Sequence, residues 1–207
     1  MAVPVKQKIK LAAWALVAVA IAAAPVGVSA VSNTSSTTIN ATVNPVISIS
    51  SGPTVAISLT PTTGGVVSSA SDTVSVSTNK TNGYTLTMKD ADTSANLVSG
   101  SDNITPFGST TTPGALTNGT WGWAVASGTT GVGISGFDAS YSTESDNASS
   151  ASKWVGVPLS SGSASTIKST STTASGDATT VWYAARVNTS QPTGTYTDTV
   201  TYTATTN

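Results

Sequence analysis

Apolar and polar residues alternate with a period of two along most of this chain. At its C-terminal end, in PTGTYTDTVTYTATTN, Tyr196, Val200, Tyr202 and Ala204 share one parity; Thr195, Thr197, Thr199, Thr201 and Thr203 share the other. Successive side chains of a strand point to opposite faces, so this pattern predicts a strand with one face to a core and one to water. The same alternation places Ile39, Ala41 and Val43 on one face of TTINATVNP. Pro45 interrupts, and Ile47 and Ile49 resume that parity. Further strands are predicted at Val55, Ile57 and Leu59; at DTVSVST; at GYTLTM (Tyr84, Leu86, Met88); at TWGWAVA (Trp121, Trp123, Val125); at KWVGVPL; and at TTVWYAARV. Between DTVSVST and GYTLTM lies NKTNG, whose Asn82-Gly83 predicts a hairpin, because both residues tolerate positive φ.

Residues 127–152 and 160–178 are rich in Gly, Ser, Ala and Thr and read as long loops. No segment after the N-terminal one shows an apolar period of 3.6, and no tandem repeat stands out. Short strands between turn signals predict an all-β sandwich or barrel, of about seven to nine antiparallel strands if it follows the immunoglobulin pattern. Its core is expected to bury Tyr84, Leu86, Trp121, Trp123, Trp182, Val200 and Tyr202. Trp121 and Trp123 share a face of one strand and are expected to fill the core with Trp154 and Trp182; exposed, they would instead make a sugar-stacking patch.

The N-terminal segment departs from this pattern. Lys6, Lys8 and Lys10 precede an apolar run from Leu11 to Ala24, and Val28-Ser29-Ala30 supplies small residues. That is the anatomy of a secretory signal peptide, so residues 1–30 are expected to be removed on export. The expected organisation is a signal peptide at 1–30, a flexible extension at 31–45 and a β-domain at 46–207. The mature chain is then expected outside the cell with no membrane segment, and no sorting motif follows the terminal strand.

Charge narrows the partners. The chain has eight bases and nine acids. Three of the bases fall in the leader, which leaves five against nine and a mildly acidic surface. Nucleic-acid binding needs a basic stripe, which is absent from the sequence. The chain has no cysteine and no histidine. It therefore has no disulfide to stabilise a small core and lacks both the commonest general base and the commonest zinc ligand. An enzyme would have to work with carboxylates and a few lysines, so the sequence reads as non-enzymatic, with no cofactor.

Three polar groupings remain. In KDADTSANL, Asp90, Asp92, Ser94 and Asn96 stand at alternate positions, which suits the oxygen ligands of a calcium loop; the usual glycine and distal glutamate are missing, and a polar turn explains the same residues. Glu144 and Asp146 could form a glycosidase pair, but they lie in a Ser-rich loop without aromatic neighbours. Lys80 and Lys89 flank the predicted hairpin, where an isopeptide staple to an asparagine would need a buried carboxylate beside it.

TWGW in mid-chain, VWYAARVNTSQPTGTYTDTVTYTAT at the end and TTINATVNPVISIS after the leader resemble the spore coat protein U family. Its members are similar to subunits of archaic chaperone–usher fimbriae. The most specific part of the likeness is Gly194, Tyr196, Asp198, Thr199 and Val200, which match the family's closing Gly-x-Tyr-x-Asp-Thr-Val. Family members often carry a disulfide, and this chain carries none. The resemblance implies an immunoglobulin-like sandwich lacking one strand, completed by the N-terminal segment of a neighbouring subunit. It also implies self-assembly or a second surface subunit as partner, and a periplasmic chaperone. On that reading residues 33–44 are the donor, with Ile39, Ala41 and Val43 as its apolar face, and Tyr196, Val200 and Tyr202 wall the receiving groove. A complete monomeric domain acting as a secreted adhesin or carbohydrate-binding module is the alternative.

Overall fold

A computed structural model describes residues 29–126, 128–137 and 153–207 of the 207-residue chain. Nearly all of the predicted leader, most of the loop at 127–152, and Glu144 and Asp146 with it lie outside the described residues. Two compact units divide the chain, Met1–Thr42 and Val43–Asn207. The described part of the first, residues 29–42, forms no strand or helix and is exposed throughout.

The second unit is all-β, with no helix among its described residues. Its strands are β1 (Ile47–Ser50), β2 (Val66–Thr78), β3 (Tyr84–Asp90), β4 (Leu97–Ser99), β5 (Asp102–Pro106), β6 (Thr120–Val125), β7 (Ser165–Ser169), β8 (Ala174–Val187) and β9 (Val200–Thr206). They form a six-stranded sheet in the order β1-β2-β8-β6-β5-β4 and a three-stranded sheet in the order β7-β3-β9. The larger sheet curls into a half-barrel. Pairing is antiparallel except between β5 and β6, where Thr105 and Pro106 run parallel to Thr120 and Trp121.

The predicted hairpin at Asn82-Gly83 is corrected here. β2 pairs with β1 and β8, whereas β3 pairs with β7 and β9, so the turn carries the chain from one sheet to the other. Only Gly83 has positive φ, at 79°, and its amide donates to Lys80 O at 3.0 Å. The glycine is needed for two reasons. A side chain disfavours that φ, and a Cβ there would stand 2.5 Å from Thr170 O. Gly83→Ala is therefore expected to cost more than about 1 kcal/mol, read as a lowered urea midpoint with unchanged slope.

The predicted loop at 160–178 is also corrected, since it contains β7 and the start of β8. Its hydroxyl-rich sequence hides one buried anchor, Ile167, and its register comes from β3, where Thr85 faces Ser169 and Met88 faces Ser165. KWVGVPL forms no full ladder. It meets the rest through isolated bridges, Gly114 to Trp154 and Trp123 to Val155.

Two apolar clusters lie on the two faces of the larger sheet. Trp121, Trp123, Val181, Tyr183, Ala185 and Val187 face the three-stranded sheet, where they meet Tyr84, Leu86, Met88 and Ile167. Ala124, Trp182 and Ala184 point the other way and are covered by Leu116 and Trp154. All four described tryptophans are thus buried. Tyr84, Leu86, Trp121, Trp123 and Trp182 are buried as expected, while Val200 and Tyr202 are half-buried.

Polar links join the sheets through the core edge. Tyr84 OH donates to Asp177 Oδ2 at 2.8 Å, and Lys168 Nζ reaches Asp177 Oδ1 at 2.6 Å. Burial alone would raise the Asp177 carboxyl, but the bonds from Lys168 and Tyr84 outweigh it and hold it below its usual value. On β9, Tyr202 shares a 2.6 Å hydroxyl contact with Tyr183 of β8, and Tyr183 OH also lies 3.1 Å from Met88 Sδ.

Candidate functional site

Two features of the β-domain stand apart from its apolar packing, and both lie at the approach to β9. The first is an acidic cluster. Asp90 closes β3 opposite Val200, the first residue of β9, so Asp198 arrives two residues ahead of that pairing. The amide of Ala91 donates to Thr199 O at 2.9 Å and holds the two chains together there. Carboxylate oxygens of Asp90, Asp92 and Asp198 then lie within 4.8 Å of one another.

Each carboxylate is oriented by a main-chain amide. Asp92 N donates to Asp90 Oδ1, Ser94 N to Asp92 Oδ1 and Thr199 N to Asp198 Oδ1, all at 2.7 Å. Asp90 is fully buried at 0% exposure. Its Oδ2 and that of Asp198 are buried and accept from no amide or hydroxyl among the described residues. Burial pushes the Asp198 carboxyl up to about 7, the Thr199 amide opposes it, and the Asp90 carboxyl, near enough to share a proton with Asp198, and Asp92 push the same way as burial.

The calcium-loop candidate, which a polar turn also explains, named Asp90, Asp92, Ser94 and Asn96. The fold keeps the first two and adds Asp198 from the far end of the sequence. Ser94 meets the cluster through its amide, and half-buried Asn96 leads on to β4. Lys89, a candidate isopeptide residue, donates through its Nζ to Ser160 O at 2.8 Å.

The crowding has a consequence for pH. The folded value of Asp198 exceeds the ordinary aspartate value near 3.9 that the unfolded chain would show. Folding therefore takes up a proton between those values. Stability should rise as pH falls through about 7 and be lost as pH rises through it. In chelator-treated protein, thermal melting at pH 6 should exceed that at pH 8, and the difference should shrink in Asp198→Asn. A melting temperature that is flat or falling toward pH 6 would contradict the assignment.

The second feature is the flank of β9. This strand bonds β3 along one edge and no other described strand along its opposite edge. Within the segment 54–59, Thr54, Val55 and Ile57 line a cavity together with the approach to β9 and its first residues. Gly52 N donates to Asp72 Oδ1 at 2.8 Å before this segment, and Thr62 bridges Asn188 after it. Val55, Ile57 and Leu59 turn half-buried sides to the core, as their alternation predicts, yet the segment joins no ladder. Between it and residues 192–202 open two cavities, of about 720 and 380 Å³.

Of the predicted assembly residues, Ile39 and Val43 are 89% and 82% exposed, and Ala41 is exposed with them. Tyr196, Val200 and Tyr202 are half-buried beside the cavities, with Tyr196 OH donating to Pro192 O at 2.8 Å. No protein-family model matches the sequence, and neither a curated protein nor a solved structure is significantly similar to it.

Proposed function

We propose that this chain is a non-enzymatic, secreted bacterial surface protein whose copies join by strand exchange, in the manner of a fimbrial or coat subunit. Its β-domain would be an immunoglobulin-like sandwich with one strand position left open beside β9. The observation that carries this reading is the pairing of two complementary defects in one chain. Ile39, Ala41 and Val43 are exposed on a segment that forms no strand, and β9 bonds no described strand along its outer edge, beside a cavity lined in part by Val200 and Tyr202. A free sheet edge is a template for another strand, and donor segments fill such gaps with alternate side chains while their main chain bonds the edge. The resemblance to spore coat protein U supports the same reading, and it adds a periplasmic chaperone as the partner that would cover the edge before assembly.

A monomeric secreted domain is the second reading, and Val55, Ile57 and Leu59 favour it. They already cover part of the open position from within the same chain. Binding of sugars by stacking on tryptophan loses support, since all four described tryptophans are buried. Mass decides between assembly and monomer. The purified mature protein is expected to form a ladder of multimers that persists in mild detergent, as seen by light scattering and unheated gels. A single monomeric species at all concentrations would leave the monomeric reading standing.

A further inference from the structure

The acidic cluster at the mouth of the β3–β9 pair is unexplained by assembly, and its chemistry points to a ligand of its own. We propose that Asp90, Asp92 and Asp198 bind a calcium ion that fastens the start of β9 to the end of β3.

The donor set selects the class of ligand. The three groups are carboxylates within 4.8 Å of one another, and no histidine or cysteine exists in the chain to favour a softer metal. Calcium binds oxygen at about 2.3–2.6 Å and tolerates irregular shells of about six to eight ligands, so oxygens on opposite sides of the ion can stand nearly 5 Å apart. Magnesium demands shorter bonds and a near-ideal octahedron, which a set drawn from a strand end, a turn and a distant strand entry is less suited to supply.

Burial makes the case beyond mere clustering. Asp90 has no exposed surface, and its Oδ2 accepts from no amide or hydroxyl among the described residues, so that without a cation only a proton shared with Asp198 could satisfy it, although buried polar atoms are almost always satisfied. Asp198 Oδ2 is buried in the same place and likewise accepts from no amide or hydroxyl among the described residues. A cation among these oxygens satisfies both at once and cancels most of the like charge. Asp92 is exposed, which leaves a route in and room for water ligands. The amides of Asp92, Ser94 and Thr199 occupy the Oδ1 atoms of the three carboxylates and so fix their directions before any ion arrives.

Location gives the ion a task. Among the described strands β9 is bonded along one edge only, and the chain enters it just after Thr197 bridges Val98 of β4. A bridge from Asp198 to Asp90 and Asp92 holds that entry closed whether or not a neighbour occupies the free edge, so the site stands apart from the assembly reading.

The test is thermal melting and titration calorimetry of the full mature protein after chelator treatment, with calcium chloride and, in parallel, magnesium chloride. Calcium is expected to raise the melting temperature by several degrees and to saturate by roughly 1 mM, the weak end of the range for extracellular calcium modules, with magnesium giving a smaller shift. Asp198→Asn relieves the repulsion, so it should fold at least as stably as the calcium-free wild type at pH 7.5 while losing the calcium response. Two results overturn the proposal. One is a wild type that shows no shift and no heat up to roughly 10 mM calcium, which would assign the pair a shared proton instead. The other is an Asp198→Asn protein whose calcium response equals that of the wild type, which would place the ion elsewhere.

Discussion

Trp123→Ala is expected to be the most destabilising single substitution considered for the β-domain. Trp123 sits in mid-strand on β6, opposite Tyr183 of β8, with 0% of its surface exposed. Its ring packs 5.6 Å from that of Phe137, and its Nε1 donates to Gly156 O at 3.1 Å. Its main chain exchanges bonds with Val155 at 2.9 and 3.1 Å. One residue therefore fills the space between sheets and fastens residues 153–157 onto β6. Truncating a buried tryptophan costs about 3–5 kcal/mol, from lost burial plus the cavity left behind. Against a total stability of about 5–15 kcal/mol, that is a large share. For a domain of this size the melting temperature should fall by roughly 6–20 °C. Trp123→Phe keeps most of the apolar volume but leaves Gly156 O without its donor, so an intermediate loss is expected. Leu159→Ala, at a site 41% exposed, serves as the control and should change stability by no more than about 0.5 kcal/mol. If Trp123→Ala melts alongside that control, the ring does not hold the core.

Period-two alternation made the long strands legible because one face of each is buried. Tyr84, Leu86 and Met88 on β3 alternate with half-buried polar residues. β6 and the middle of β8 are buried on both faces, which their runs of Trp, Ala, Val and Tyr indicate. Partnership was less legible. Nothing local distinguishes a turn that returns a strand to its neighbour from one that crosses between sheets, so Asn82-Gly83 read as a hairpin. β4, β5 and β7 were hidden because each rests on one or two apolar anchors, such as Ile104 and Ile167, and takes its register from a neighbouring strand.

The acidic site was half visible. Asp90 and Asp92 stand close in sequence, but Asp198 joins them from more than a hundred residues away. A signal for it was present in the parity. Asp90 follows Tyr84, Leu86 and Met88 on the inward face, and Asp198 falls between Tyr196 and Val200 on the corresponding positions. A carboxylate on an apolar parity must find a partner or be held protonated, and two such residues where paired strands meet are candidates for a common site.

Double substitution of Ile39 and Val43 by aspartate should abolish assembly while leaving the domain folded. Both side chains are exposed, at 89% and 82%, so replacing them removes no intramolecular core contact. In a neighbour's groove each would bury a β-branched side chain, contributing about 1.5–3 kcal/mol. The main-chain bonds along β9 would add roughly 0.5–1.5 kcal/mol apiece. Aspartate reverses the sign of the side-chain contribution, because an unpaired carboxylate entering an apolar cavity loses its hydration without compensation. The variant is therefore expected to be secreted, to melt within a few degrees of the wild-type domain, and to run as a monomer where the wild type forms ladders. Ala41→Asp alone should weaken assembly less, since alanine buries less surface. On the groove side, Val200→Asp should also block assembly, but Val200 is half-buried against the core, so a loss of stability would accompany it. That contrast separates donor from acceptor. If the Ile39 and Val43 variant loses its own fold, or if it assembles as well as the wild type, the segment does not act between molecules and strand exchange at β9 is excluded.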